Sequence, residues 1–590
     1  MPNQPPSVTA PLKNYFFLTA VILISFWSFS YHLGEVPPYH TDEDFYIQSA
    51  KTMLETGDYL TPVYHDEKRF AKPIFFYWLV ALSYKVFGVN LVSARLFSVI
   101  FATLSVGLVY LLGRRLFDRQ AALLGAFILP SIYLHFQISR WATTDMTLSF
   151  FILLAIWFFV KAWQEEPRRE LNCYFFYLAM AFGFLTKGPP AILVPGLTVA
   201  AFLLILRDWK MIAGMRLFTG FLILLIVDVP WFAMMYHLHG DEFLNHLLGA
   251  EIRDRVFHPT PFSFYYPGVL IRYCLPWSLF FIFSLAVYTG LAEFTSTARR
   301  GLGKYFSSLP KNIQNQLFRI VDKDHHALLF CFLWIVVPLL VFTVFRIEHS
   351  RYLLPATPAV ALILGHFFTG LINSPAGLQR PLFKIPFFLT VSLFLLLTVV
   401  CAAGILIFEA IAHAPFRVMF FPLLLGTGSA VLILMFMLKR RMELILMLAV
   451  FQTFSLAFIH GDLIPYFNQY PMKKFAHEIA KKGTGEERIG VYHLGSHQAR
   501  MGILTGQYSK FIFTPEGLRD FSNTDKKVFV VLRETDWQEK FSDLPLTRLS
   551  EDRIWKKRRV DKTFLRELRD QGVDFQPAGL FETVYLFTNR

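Results

Sequence analysis

Charge is scarce in this sequence. Asp, Glu, Lys and Arg make up 17% of its 590 residues, against about 25% in an ordinary soluble domain. Beside a hydrophobic share of 54%, that shortage excludes the string of water-soluble domains that length alone would suggest. Cysteine is rarer still. Cys173, Cys274, Cys331 and Cys401 all fall in apolar stretches, with neither a metal-ligand spacing nor a disulfide framework. The chain has no Gly-rich nucleotide loop and no metal-binding His pair. This disfavours a nucleotide-sugar or ATP enzyme, whose donor needs a phosphate cradle on the cytoplasmic side. Internal repeats and low-complexity tracts are lacking too. The first apolar run has only the poor cleavage sequence Ser28-Phe29-Ser30-Tyr31 after it, so it reads as a retained span.

What the chain does have is long apolar runs, and runs of about 18 or more residues read as membrane-crossing helices. Thirteen spans are expected, near 15–33, 91–112, 120–137, 145–162, 172–186, 189–206, 214–235, 267–290, 328–345, 352–371, 385–407, 414–438 and 442–459. The loops alternate in charge. One set holds Lys13, Arg114, Arg115, Arg119, Lys161, Arg168, Arg169, Arg207, Lys210, Arg216, the basic stretch 291–326, Arg380, Lys384 and Lys439-Arg440-Arg441. Positive loops stay inside, which puts the N-terminus in the cytoplasm and, with an odd span count, the C-terminus outside. The net charge of +14 is thereby assigned to membrane retention and not to nucleic acid, which would need a basic face on a soluble module.

Two external segments are large. In 34–90 the run Pro73–Phe87, with Tyr77, Trp78, Tyr84 and Lys85, is too short to span and suits the outer membrane surface. The tail 460–590 shifts in composition. Val528–Leu532, Thr583–Phe587 and Ile489–Tyr492 read as strands, with helices near 471–482 and 561–571. The expected architecture is a polytopic α-helical membrane domain over 1–459 and a small extracytoplasmic α/β domain over 460–590.

The chemistry-bearing residues gather on the outer side. Tyr39-His40-Thr41-Asp42-Glu43-Asp44 sets three acids just after the first span. A carboxylate there can deprotonate an acceptor hydroxyl; equally, acids at a helix start cap it and suit its dipole, and the two roles are compatible. Lys68-Arg69-Phe70-Ala71-Lys72-Pro73 offers cations either to lipid headgroups or to a leaving phosphate, through Lys72. Asp145 stands at the outer start of the fourth span, where an ionisable residue at membrane depth points to function. Lys187 at the next outer turn is placed to pair with it. Asp228 reads as a structural partner, with Arg272 the nearest option. Glu251–Arg255 and Arg346–Tyr352 add cations to the same face.

In order and spacing, Asp42-Glu43, Lys72-Pro73, Asp145, Leu185-Thr186-Lys187-Gly188 and Arg351-Tyr352-Leu353-Leu354-Pro355 resemble the GT-C membrane glycosyltransferases, in particular the lipid A 4-amino-4-deoxy-L-arabinose transferases and the related protein O-mannosyltransferases. The resemblance implies a polyprenyl-phosphate sugar donor, and an acceptor that is lipid A, another glycan or a protein. It implies that Asp42 is the catalytic aspartate, Glu43 its acidic neighbour and Asp145 a supporting acid, with Lys72, Arg255 and Tyr352 on the donor phosphate and Lys187 bracing. It also implies the inner membrane as location and a periplasmic tail. The aminoarabinose transferases have a Glu before the lysine and a His in the Arg255 loop, side chains that bind a metal in that family; this chain has Ala71 and Ile252. No cofactor is therefore expected, and a divalent metal stays open. His349-Ser350-Arg351-Tyr352 also departs from the family's turn, which leaves the sugar open. The rival readings are a transporter, whose site would lie near the midplane between repeats, and an envelope-assembly scaffold.

Overall fold

The computed structural model describes residues 9–36, 38, 41–64, 67–249, 264–288, 325–344, 348–412, 416–467, 471–494, 497–507, 509–555 and 581–590. The chain forms two compact units. One comprises Met1–Tyr31, Phe70–Phe76 and Arg95–Phe458, and the other His32–Arg69, Tyr77–Ala94 and Ile459–Arg590.

The first unit is helical because a lipid-embedded backbone must satisfy its own hydrogen bonds. Among the described residues, eight helices are long and apolar enough to cross a membrane: Leu91–Leu116, Thr144–Gln164, Leu217–Gly249, His326–Val344, Ser350–Asn373, Pro381–Leu406, Val418–Met437 and Arg441–Tyr466. Two bent pairs bring the number to ten. Arg119–Ser131 with Tyr133–Ser139 turns by 61°, and Tyr265–Tyr273 with Trp277–Tyr288 by 114°. Where the sequence suggests one straight span over 267–290, the helix breaks before Pro276, which lacks an N–H and disfavours helical backbone in the residue ahead of it. The expected spans near 15–33, 172–186 and 189–206 appear as helices Thr9–Ser30, Arg169–Lys187 and Pro190–Leu206, none of which is among those eight.

Burial varies widely across this unit. Ser350–Asn373 is 83% buried over its apolar window, whereas Pro381–Leu406 is 22% buried and presents most of its surface outward. Helix Thr357–Asn373 packs on helix Arg119–Ile128 at backbone distance. A Cβ at Gly365 would strike the Ala121 carbonyl oxygen, and one at Gly125 would lie 3.2 Å from that of Ala361. Phenylalanine fills the wider seams: Phe159, Phe202 and Phe330 meet edge to face and stacked, at centroid distances of 5.1–6.3 Å.

In the second unit, β1 (Val63–Tyr64) and β2 (Glu67–Lys68) make a short antiparallel pair. The tail carries β3 (Arg488–Tyr492), β4 (Ser509–Ile512), β5 (Val528–Arg533), β6 (Thr547–Trp555) and β7 (Phe581–Thr588) in the order β4-β3-β5-β7-β6. Strand β3 runs parallel to β4 and β5, and β7 antiparallel to β5 and β6. Side chains alternate across a strand, so Phe529 and Val531 of β5 join Phe475 and Ile479 of helix Pro471–Lys482 on one face. Val528, Val530 and Leu532 join Leu518 and Phe541 on the other. Burial on both faces explains the unbroken apolar run in β5. Three strands were legible in the sequence; β4 and the polar edge strand β6 were not, and the helix expected near 561–571 lies outside the described residues. Residues 32–69 and 77–94, grouped with the membrane domain by sequence, instead cluster with the tail. Helix Phe75–Phe87 has 13 residues, about 20 Å at 1.5 Å per residue, too short for a hydrocarbon core of about 30 Å.

Candidate functional site

Within the first unit, helices Thr144–Gln164 and Arg169–Lys187 are neighbours joined by a short turn. The start of one therefore lies beside the end of the other. Asp145 sits in the first turn of its helix and Lys187 in the last turn of its own, the ends where helix dipoles favour those charges. Gly188 follows with φ of 83°, a backbone region that side chains resist, and lets the chain reverse at the lysine. Lys187 Nζ donates to Asp145 Oδ1. Arg351 Nε lies 3.6 Å from Asp145 Oδ2. Lys187 Nζ also stands 4.4 Å from the centre of the Tyr352 ring, close enough for a cation–π attraction. All four side chains are buried: Asp145 is 4% exposed, Lys187 8%, Arg351 8% and Tyr352 9%. Arg351 and Tyr352 come from a 3-10 turn, Ser350–Ala356, that opens the most buried of the eight long apolar helices named above.

Lys72 is half-buried and its Nζ donates to the Ala71 carbonyl at 2.7 Å. Two residues before it, Phe70 is wedged among His239, Phe243 and His246, with centroids 5.3, 5.4 and 5.9 Å away. Arg140, 3% exposed, donates to the carbonyls of Ser28 and Phe29 at 3.2 and 2.9 Å, and so satisfies acceptors that a helix end leaves open.

The acidic cluster belongs to the second unit. Helix Thr41–Thr56 opens with Asp42, Glu43 and Asp44 in its first turn; Asp42 is half-buried, Glu43 and Asp44 fully. Asp44 Oδ1 lies 3.6 Å from Arg500 Nε. Arg69 covers the Phe45 ring at 3.6 Å, and Tyr64 meets the same ring edge-on at 4.7 Å. Burial, and then the Asp44 carboxylate, push the Tyr64 hydroxyl well above its ordinary pKa.

The structure thus brings Asp145, Lys187, Arg351 and Tyr352 together in the first unit, and Asp42, Glu43 and Asp44 in the second. Arg255, Ile252, His258 and Arg346 lie outside the described residues. Asp228 and Arg272 do not meet. Arg272 is exposed and donates to Gly268 in its own helix, while Asp228 is buried and its Oδ1 finds no hydrogen-bond partner among the described residues. Sequence reasoning passed over Arg500 because nothing in the local pattern of the tail relates it to a turn more than 450 residues earlier.

The sequence profile of the dolichyl-phosphate-mannose-protein mannosyltransferases matches residues 71–233. The solved fold of ArnT from Cupriavidus metallidurans superposes with a TM-score of 0.70 in the apo state, at 18% identity, covering 99% of this chain and 98% of the other. The form bound to undecaprenyl phosphate gives 0.68. This chain resembles the GT-C membrane glycosyltransferases. An Aquifex aeolicus protein of uncharacterized role is 29% identical over 82% of this chain and 85% of its own length. The undecaprenyl phosphate-alpha-4-amino-4-deoxy-L-arabinose arabinosyl transferase of Pseudomonas aeruginosa is 30% identical over 55% of this chain. The match spans about half the length of that transferase, 54%.

In view of that resemblance, position 71 bears on the question of metal. Its side chain is a methyl group and its carbonyl already accepts from Lys72. Among the described residues no group of three or more His, Cys, Asp and Glu side chains is arranged to hold a metal ion. Among the described residues, no set of side chains therefore offers the several N, O or S ligands in fixed geometry that a tightly held divalent ion needs.

Proposed function

We propose that this chain moves a sugar from a polyprenyl-phosphate donor, undecaprenyl phosphate, to an envelope acceptor on the outer face of the cytoplasmic membrane: lipid A, another glycan or a protein. The observation that carries the reading is the buried set Asp145, Lys187, Arg351 and Tyr352, set where apolar helices end. Two cations around one carboxylate give the three charged groups a formal charge of +1, suited to the anionic head of a lipid whose tail lies in the bilayer. ArnT, which shares the fold, has been solved with undecaprenyl phosphate bound, and this supports the choice of donor.

In the proposed reaction Asp42 accepts the proton of the acceptor hydroxyl as its oxygen attacks the anomeric carbon. The new carbon–oxygen bond forms on the face opposite the phosphate, the bond to the phosphate oxygen breaks, and the anomeric centre inverts. Glu43 lies next to the base. Lys72, Arg255 and Tyr352 hold the departing phosphate and balance its charge, with Asp145 and Lys187 bracing them. No tightly bound metal takes part. Helices Thr9–Ser30, Arg169–Lys187 and Pro190–Leu206 are taken as further crossings, which makes thirteen and leaves the N-terminus in the cytoplasm. Residues 1–459 form the transferase part, and 460–590 an extracytoplasmic domain.

Mass spectrometry of envelope lipids and glycans from cells with and without the protein tests this directly. A sugar should vanish from one acceptor and undecaprenyl-linked sugar should accumulate. Identical envelopes in the two strains would refute the proposal.

A further inference from the structure

We propose that Arg500, from the tail, is a positioning residue for the acidic turn Asp42-Glu43, and that it acts through Asp44. The role assigned to that turn rests on the transferase reading above; the clamp itself does not. Helix Thr41–Thr56 lies against helix His497–Thr505 within the second unit, and two charged contacts fix it there. At its first turn, Asp44 is 1% exposed and its carboxylate lies 3.6 Å from Arg500, whose side chain is 12% exposed. Two turns further on, on the same face, Lys51 is 9% exposed and its Nζ donates to the carbonyls of Gly502 and Gln507 at 3.2 and 3.0 Å. Gly502 is within the last turn of its helix and Gln507 lies just past the end, where carbonyls lack intrahelical donors. The Arg69 guanidinium over Phe45 and the Tyr64 ring against Phe45 hold the same turn from β1, β2 and their flank.

A helix held at two points on one face can neither slide nor roll. Rolling matters here because Asp42 and Glu43 immediately precede the clamped residue. A side chain carried about 5–6 Å from a helix axis moves about 1 Å for a roll of roughly 10°, and a 1 Å misplacement can cost about 10²-fold in rate. A third acid that is buried and salt-bridged is also poorly placed to exchange protons with a substrate. Asp42, by contrast, is only half-buried.

The test uses the full-length protein with Arg500→Met, Asp44→Asn, the double variant and Arg500→Lys, beside Asp42→Asn. Hydrogen–deuterium exchange should quicken over 41–47 in Arg500→Met but stay at the wild-type rate over β3 and β5. Sugar transfer should fall about 10- to 100-fold, with binding of the probe undecaprenyl phosphate unchanged. The double variant should be no worse than the worse single, because both remove one interaction, and Arg500→Lys should restore part of the activity. Unaltered exchange over 41–47 overturns the clamp whatever the transfer assay gives, as does quickened exchange spread equally over β3 and β5. Wild-type transfer by Arg500→Met beside an inactive Asp42→Asn overturns the positioning role alone. Failure of the transferase reading shows differently, as no sugar transfer by the wild-type protein and identical envelopes with and without it.

Discussion

Replacing Asp145 by Asn leaves Lys187 and Arg351 facing each other, both buried, without their shared carboxylate. With all three groups less than 10% exposed, solvent screens little, and breaking a buried ion pair from one side costs about 3–5 kcal/mol. Lys187→Met is milder. Asp145 keeps Arg351 and loses one charge-assisted contact, for about 1.5–3 kcal/mol. In the double variant the repulsion created by Asp145→Asn is gone, because only Arg351 remains. The two losses should therefore fall short of adding by at least the Lys187→Met loss, about 1.5–3 kcal/mol, within the range for contacting residues. Resistance of the purified protein to unfolding in detergent, compared across wild type, both singles and the double, measures this. The expected order of stability is wild type, Lys187→Met, double, then Asp145→Asn, with the double no less stable than Asp145→Asn. Strictly additive losses would mean that the two side chains do not act as one charged unit, and would refute the reasoning.

Asp42→Asn should reduce transfer by about 10²–10⁴-fold, the usual contribution of a general base, while folded protein is recovered in normal yield; near-normal turnover would remove Asp42 from the role. Lys72→Ala and Arg255→Ala should each weaken binding of undecaprenyl phosphate by about 1.5–3 kcal/mol, read by titration of labelled lipid into detergent-solubilised protein. In the tail, the Tyr585 hydroxyl, 2.5 Å away, and then Thr583 hold the Glu534 carboxyl below its ordinary value of 4.5. A depressed carboxyl contributes stability above that value and loses it as pH falls through the folded-state value. Tail stability should therefore decline on acidification below about pH 4.5, and Tyr585→Phe should flatten that decline in a pH series of exchange over β5 and β7.

The helices were legible because hydrophobic length alone marks a membrane segment, and the residues near helix ends were legible because charge is too costly there to be incidental. Asp145 and Lys187 fell out of that logic together, since a four-residue turn between adjacent helices leaves little choice of partner. The break before Pro276 was less visible: a proline can kink a span, end it or fold it back, and the outcome depends on what packs around it. Asp228 was given the wrong partner because its distance in sequence from Arg272 says nothing about how their helices rotate. The docking of Asp44 on Arg500 was out of reach for a related reason. Local pattern records that a helix begins at Thr41, but not which distant surface receives it. Strand β6 escaped because an edge strand, paired on one side only, need not be apolar.

Where helix Thr357–Asn373 crosses helix Arg119–Ile128, Gly365 meets the Ala121 carbonyl with no room for a methyl group between them. The stretch from Arg351 to Gly365 is continuous 3-10 and α-helix, so a rod of roughly 23 Å, at 1.5–2.0 Å per residue, joins that crossing to Arg351 and its partners Asp145 and Lys187. The crossing thus serves as the zero mark of a ruler. It sets the height at which Arg351 and Tyr352 stand, and any side chain large enough to part the two backbones would be felt as a change of depth at those two residues, far from the residue altered.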